Sequence, residues 1–326
     1  MEVNQFKKIL IIRFSSIGDI VLTTPIIRCI KLQTGAEVHF LTKPGFQDLL
    51  KPNPYIDKFH ILHDTVSATA PKLKDENYDL VIDLQKNIKS RYLCVLLGAK
   101  MITFDKLNIA KWIEVNLKMS VLPKGKHLVD RYFDSLRKIN ISNDGEGLDF
   151  FISTEDRMET LKLTNGLQYN VLVLGANYYT KRIPLSKCEE IIHNATSTIV
   201  LLGGKDVLEI AEALKSKFPS KVINQCGQLS LGKSAAYINY ADAVISGDTG
   251  LMHIAAALKK KMYVIWGNTI PDFGMYAYYG QKSEVKSINL EVKNLSCRPC
   301  SKLGYDRCPK GHLKCMMEND VSVIQI

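Results

Sequence analysis

The chain has no apolar run approaching the roughly 18 residues that a membrane-spanning helix requires, which argues against an integral helical membrane protein. It also has no short-period repeat and no low-complexity tract, which excludes solenoid and fibrous architectures. The opening segment, Met1 to Lys8, is polar and charged. It lacks the apolar centre and small-residue cleavage site of a signal peptide, so a cytoplasmic protein is expected. Around the loop from Phe14 to Asp19 neither a P-loop nor a complete dinucleotide fingerprint is present, which removes the two commonest glycine-rich phosphate cradles there.

What is present is ordinary globular material: 326 residues, 46% hydrophobic and 23% charged, enough for about two domains with their own cores. Acidic residues are the scarcer sign. The 33 Asp and Glu face 43 Lys and Arg, a net charge of +10. Between Lys86 and Lys138 twelve basic residues meet only four acidic ones, so most of the surplus lies in the first half. Such a surplus suits an anionic partner, whether nucleic acid, a phosphorylated substrate or an anionic membrane surface, and equally a solvated basic face.

Lys8 to Arg13 is a short β-branched run of the kind that becomes a buried parallel strand, followed by a tight loop and a helical stretch to about Leu32. Further strands are expected at 37–41, 58–62, 80–84 and 101–104, with helices at 89–97 and 128–139. Asn140 to Gly147 is polar and turn-rich, as a connection leaving the first half should be. A second round then places strands at 171–174, 198–202, 221–224, 243–246 and 262–266. Helices are expected between them at 185–195, 207–217, 234–240 and 251–258. The alternation predicts an α/β protein with two open parallel sheets covered by helices, divided as 1–150 and 151–326, with a cleft between the halves.

In such sheets ligands bind beyond the carboxyl ends of the strands, where loop glycines allow close approach and helix N-termini present N–H donors. Ser15, Ser16, Gly18 and Asp19 occupy one such position. Asp19 suits a general base accepting a proton from an incoming hydroxyl, and equally a helix N-cap. Leu174 to Pro184 follows a strand with hydroxyls and two cations, a pyrophosphate grip in outline. Ser246 to His253 closes a later strand at the start of a helix. His253 suits a phosphate partner or a packing residue on its alanine-rich helix.

Of the eight cysteines, Cys29, Cys94, Cys188 and Cys226 stand singly among apolar residues, as buried thiols do. Cys297-Arg-Pro-Cys300, with Cys308, His312 and Cys315 behind it, can supply four thiolates to a tetrahedral zinc ion. Its spacing fits no standard zinc finger, and a loop of free thiols contacting substrate is the alternative.

Residues Ile9 to Pro25 read Ile-Leu-Ile-Ile-Arg-Phe-Ser-Ser-Ile-Gly-Asp-Ile-Val-Leu-Thr-Thr-Pro, and Gly247 to Ala257 read Gly-Asp-Thr-Gly-Leu-Met-His-Ile-Ala-Ala-Ala. With Asp83-Leu-Gln85, the helix start His127 to Tyr132 and the Cys297 to Cys300 segment, these resemble glycosyltransferase family 9, the ADP-heptose:lipopolysaccharide heptosyltransferases. The resemblance implies a GT-B fold, two Rossmann-like domains with parallel sheets facing across a cleft, the first binding acceptor and the second donor. It implies an inverting transferase that moves heptose from ADP-heptose to the lipopolysaccharide inner core and requires no cofactor or metal.

By motif match Asp19 is then the catalytic base. Lys181 grips donor phosphate, and Asp248, Thr249, Gly250, Leu251 and His253 line the donor site. Ser15, Ser16, Gly18, Lys86, Lys89 and Arg91 are expected to face the acceptor. The partners implied are ADP-heptose, a lipid-linked core acceptor and the cytoplasmic face of the inner membrane, not nucleic acid. A nucleotide-sugar epimerase or hydrolase on the same fold, or a non-catalytic core-oligosaccharide binder, are the alternatives.

Overall fold

The computed structural model describes residues 6–326 apart from Asp64 and Asn165. In chain order its strands are β1 (Lys8–Ile12), β2 (Glu37–Thr42), β3 (Lys58–Ile61), β4 (Leu80–Asp83), β5 (Lys100–Thr103), β6 (Tyr169–Val173), β7 (Thr198–Leu202), β8 (Val222–Asn224), β9 (Ala243–Gly247), β10 (Lys261–Trp266) and β11 (Ser287–Glu291). The helices are α1 (Ile17–Val21), α2 (Thr24–Thr34), α3 (Val66–Lys74), α4 (Ile88–Leu97), α5 (Asn108–Asn116), α6 (Leu128–Leu136), α7 (Thr154–Thr164), α8 (Leu185–Asn194), α9 (Leu208–Lys217), α10 (Leu231–Tyr240), α11 (Gly250–Ala257) and α12 (Lys314–Met317). The chain forms two units. One comprises residues 1–106, 126–151 and 280–282, the other 107–125, 152–279 and 283–326. One boundary between the units falls at residue 151. The segment bearing α5 belongs to the second unit although it sits inside the first half of the sequence.

Each unit holds one parallel sheet. The first has strand order β3-β2-β1-β4-β5, the second β11-β10-β9-β6-β7-β8. Both orders reverse direction once, between β1 and β4 in the first sheet and between β6 and β9 in the second. Open α/β sheets bind ligands at that reversal, beyond the carboxyl ends of its strands. The central strands are buried on both faces. Ile9, Leu10, Ile11 and Ile12 of β1 are all fully covered, which is why they read as a continuous apolar run and not as an alternation.

Local signals set the helix ends. Asn87 accepts from the Ser90 backbone N–H at 2.8 Å at the start of α4, and Gly98, at φ +65°, lets the chain turn off its far end. Cys29, Cys94, Cys188 and Cys226 are buried, as expected, and burial pushes each thiol up to about 12.

The polar stretch 140–147 is not a loose connection. Arg28 of α2, 4% exposed, donates to both carboxylate oxygens of Asp144 (2.7 and 2.8 Å), to the Gly147 carbonyl (2.9 Å) and to Asp149, so the segment is strapped back onto the first unit. Five elements escape the periodicity analysis, α5 and α12 among them. Helix α3 contains Pro71. Helix α7 turns Met158, Leu161 and Leu163 outward and buries Thr160 and Thr164. Strand β11 is an edge strand with Ile288 exposed.

Candidate functional site

The first unit places its polar residues beyond β1 and β4, at the switch point. Arg13, 7% exposed, follows β1 directly and is gripped on all sides: Nε donates to the Ser15 carbonyl (2.9 Å), Nη1 to the Leu84 carbonyl (2.5 Å), and Nη2 pairs with Asp19 Oδ1 at 2.7 Å. The second oxygen of Asp19 accepts from the Ser16 backbone N–H (3.1 Å) and from Ser16 Oγ (2.9 Å). Asp19 thus caps the start of α1 and also presents a carboxylate that remains 23% exposed. Burial pushes that carboxyl up, but the Arg13 guanidinium and the Ser16 donors outweigh it, and the net shift is downward. Asp19 is therefore ionised at neutral pH.

Asp83 closes β4 and is fully buried. It accepts from the backbone N–H groups of Gln85 (3.0 Å) and Lys86 (2.8 Å) and from Ser90 Oγ (2.8 Å), which fixes the turn into α4. Gln85 in turn accepts from the Phe14 N–H at 2.9 Å and ties this turn to the Asp19 loop. Of the three cations expected to face an acceptor, Lys86 donates to the Phe104 carbonyl at 2.5 Å, whereas Lys89 and Arg91 are exposed on α4. Arg13, Asp83 and Gln85 lie inside the sequence motifs, but their spacing alone assigns them no role.

The second unit builds its polar cluster beyond β6 and β9. Lys181 Nζ pairs with Asp248 Oδ2 at 2.6 Å, with side chains 16% and 9% exposed, and Thr269 Oγ1 donates to the same oxygen at 2.9 Å. Thr249 caps α11, its hydroxyl accepting from the Met252 N–H (3.4 Å) and lying 3.0 Å from buried Ser246 Oγ. Gly247 is required at this crossing, because a Cβ there would run into the Lys181 carbonyl oxygen. Gly250 and Leu251 open α11, where N–H groups unbonded within the helix favour an anion. His253 is 2% exposed inside the helix packing. Arg182 flanks the loop, anchored to Asp206 at 2.5 Å and to the Ala176 carbonyl at 3.1 Å. Lys181 and Asp248 were separate expectations, and the fold joins them into one ion pair. Ser246 opens the Ser246 to His253 motif without a role of its own there, and Thr269 carries no sequence signal.

One cluster lies elsewhere. Among the described residues His39, His60 and Glu76 have ligand atoms within 4.8 Å of one another. Glu76 is already held by Lys58 and by Lys8 (2.9 Å), and these pull its carboxyl down to about 2. Buried His39 bonds Tyr78 and Glu37. Two ammonium groups at the carboxylate oppose a cation, and the cluster reads as a hydrogen-bonded brace across β2 and β3.

The sequence model of glycosyltransferase family 9 (heptosyltransferase) matches residues 66–304. The chain belongs to glycosyltransferase family 9. It is 25% identical over 294 residues to lipopolysaccharide heptosyltransferase 1 of Campylobacter coli, covering 80% of this chain and 84% of that protein. Among solved structures it superposes on the E. coli ADP-heptose lipopolysaccharide heptosyltransferase II with TM-score 0.71 at 18% identity, covering 95% and 98% of the two chains. The E. coli heptosyltransferase WaaC with ADP-2-deoxy-2-fluoro heptose gives TM-score 0.65 at 22% identity, covering 86% and 92%. The fold is that of the GT-B heptosyltransferases, and the protein is a glycosyltransferase. Among the described residues no helix is long and apolar enough to cross a membrane.

Proposed function

We propose that this family 9 enzyme transfers heptose from ADP-heptose to the inner core of lipopolysaccharide with inversion at the anomeric carbon. The first unit supplies the base and the second holds the donor. The observation that carries the reading is the pair of polar clusters at the two switch points, an ionised carboxylate at Asp19 and a preformed cation at Lys181, in a chain of this family.

In this scheme Asp19 accepts the proton of the acceptor hydroxyl as its oxygen bonds to the anomeric carbon and the bond to the diphosphate breaks. Lys181, the Thr249 hydroxyl and the first N–H groups of α11 take up the charge left on ADP, so the scheme assigns no step to a metal or cofactor. Asp248 does not itself touch the diphosphate, since a second carboxylate would repel it. It orients Lys181, while Gly250 and Leu251 form the floor on which the phosphates rest. Buried His253 supports α11 by packing. Ser15, Ser16 and Gly18 shape the acceptor side of the Asp19 loop, and Lys86 is held at the Phe104 carbonyl.

The enzyme works at the cytoplasmic face of the inner membrane in this reading. Helix α4 supports it, with Ile88, Tyr92 and Val95 exposed on one stripe beside exposed Lys89 and Arg91. The reaction itself is tested by NMR of the product made from ADP-heptose and a deacylated core acceptor. An anomeric configuration opposite to the donor's is expected, and retention would overturn the single-displacement scheme.

A further inference from the structure

Cys297, Cys300, Cys308 and Cys315 surround one small cavity of the second unit, ≈ 20 Å³, which Asn268 and Thr180 also line. That volume accommodates about one water-sized sphere. None of the four is in a disulfide. Asn268 is 1% exposed, yet neither its carboxamide oxygen nor its nitrogen has a hydrogen-bond partner. A buried amide left so bears its desolvation uncompensated and calls for a group to complete it.

Cations also stand at the cavity. The Arg298 guanidinium between the first two cysteines is almost wholly buried and paired with Glu291 at 2.7 Å, and Lys118 donates to the carbonyls of Cys297 and Pro299. Four thiolates around a divalent ion leave two surplus negative charges, which the Lys118 ammonium offsets in part. His312, by contrast, turns Nδ1 to the Lys314 N–H at 3.1 Å.

We propose that Cys297, Cys300, Cys308 and Cys315 bind one thiophilic metal ion, of the zinc or iron type, as a closed four-sulfur site, with the Asn268 carboxamide donating to a ligand sulfur. Among the described residues no three of these sulfurs lie within 4.8 Å of one another, so their side chains turn inward on binding. Each thiol that binds gives up its proton to solvent, and no electron is transferred. A closed set of four thiolates is structural in character, because it leaves no position for substrate. The ion would brace the loop in which Tyr305 is bonded to Thr180 (2.9 and 3.1 Å), immediately before Lys181, and would abut Asn268, immediately before Thr269.

The test is elemental analysis of the purified full chain, followed by chelation and titration with Co2+. About one ion per chain is expected in the wild type and in a Cys94→Ser control, with loss of the ion in Cys300→Ser and Cys308→Ser. Bound Co2+ should show thiolate charge-transfer absorption and the visible bands of tetrahedral coordination. Asn268→Ala should keep that spectrum and bind about tenfold more weakly. Zinc and iron are told apart by the elemental analysis, and either supports the site. Should the cysteine variants fail to fold, the wild-type cobalt spectrum decides. A spectrum without thiolate ligation, or an ion retained undiminished in folded Cys300→Ser and Cys308→Ser, would overturn the proposal.

Discussion

Replacing Asp248 with Ala separates the two tasks this residue could have. In the structure it is the acceptor for both Lys181 Nζ (2.6 Å) and Thr269 Oγ1 (2.9 Å), and both members of the ion pair are largely buried. Removing one partner of such a pair leaves an uncompensated charge and costs about 3 kcal/mol. For a unit of this size that lowers the melting temperature by roughly 6–12 °C. If Asp248 positions Lys181 without touching the nucleotide, ADP supplies the missing anion, and removing the carboxylate also removes its repulsion toward the diphosphate. The variant should then be less stable when free but bind ADP about tenfold more tightly, about 1.4 kcal/mol, and gain more from it in a thermal scan than the wild type does. Calorimetric titration and differential scanning with and without ADP measure both. Weaker ADP binding by Asp248→Ala than by the wild type would refute the reasoning, because the carboxylate would then favour ADP binding and not oppose it.

Four further outcomes follow from other contacts in the two units. Arg13→Met removes the charge that holds the Asp19 carboxyl down, so burial then dominates and the acid limb of the pH–rate profile should move toward neutrality; an unmoved limb would detach Asp19 from the rate. Arg28→Ala should cost about 3–5 kcal/mol in urea unfolding through loss of the strap to Asp144 and Asp149, and a cost below about 1 kcal/mol would show the strap to be incidental. Burial raises and Arg28 lowers the Asp144 carboxyl, which settles at about 2. Its share of stability is therefore complete above the ordinary carboxylate range near ~4 and lost as pH falls through about 2, a loss that Asp144→Asn should remove. Gly247→Ala should disrupt the Lys181 loop, costing about 1–3 kcal/mol and most ADP binding; unchanged binding would mean the loop can shift freely.

Much of the architecture was legible because parallel strands are buried on both faces and announce themselves as continuous apolar runs, such as Ile9 to Ile12 in β1 and Ile199 to Leu202 in β7. Elements whose apolar residues do not face the core were not legible. Helix α7 buries threonines and exposes Met158, Leu161 and Leu163, which inverts the usual signal. The candidate site was legible as single residues in motifs and illegible as pairs. Lys181 and Asp248 are far apart in sequence and meet only because β6 and β9 are neighbours in the sheet. Arg13 is six positions from Asp19, but its role depends on burial against the Leu84 carbonyl, which no spacing expresses.

The central claim is transfer of heptose with Asp19 as base, and its most direct measurement is mass spectrometry of a deacylated inner-core acceptor incubated with ADP-heptose and either wild-type enzyme or Asp19→Ala. The account predicts one added heptose with the wild type and none with the variant, while calorimetry shows ADP bound equally by both. Comparable transfer by Asp19→Ala, or release of free heptose by the wild type with the acceptor left unmodified, would contradict it.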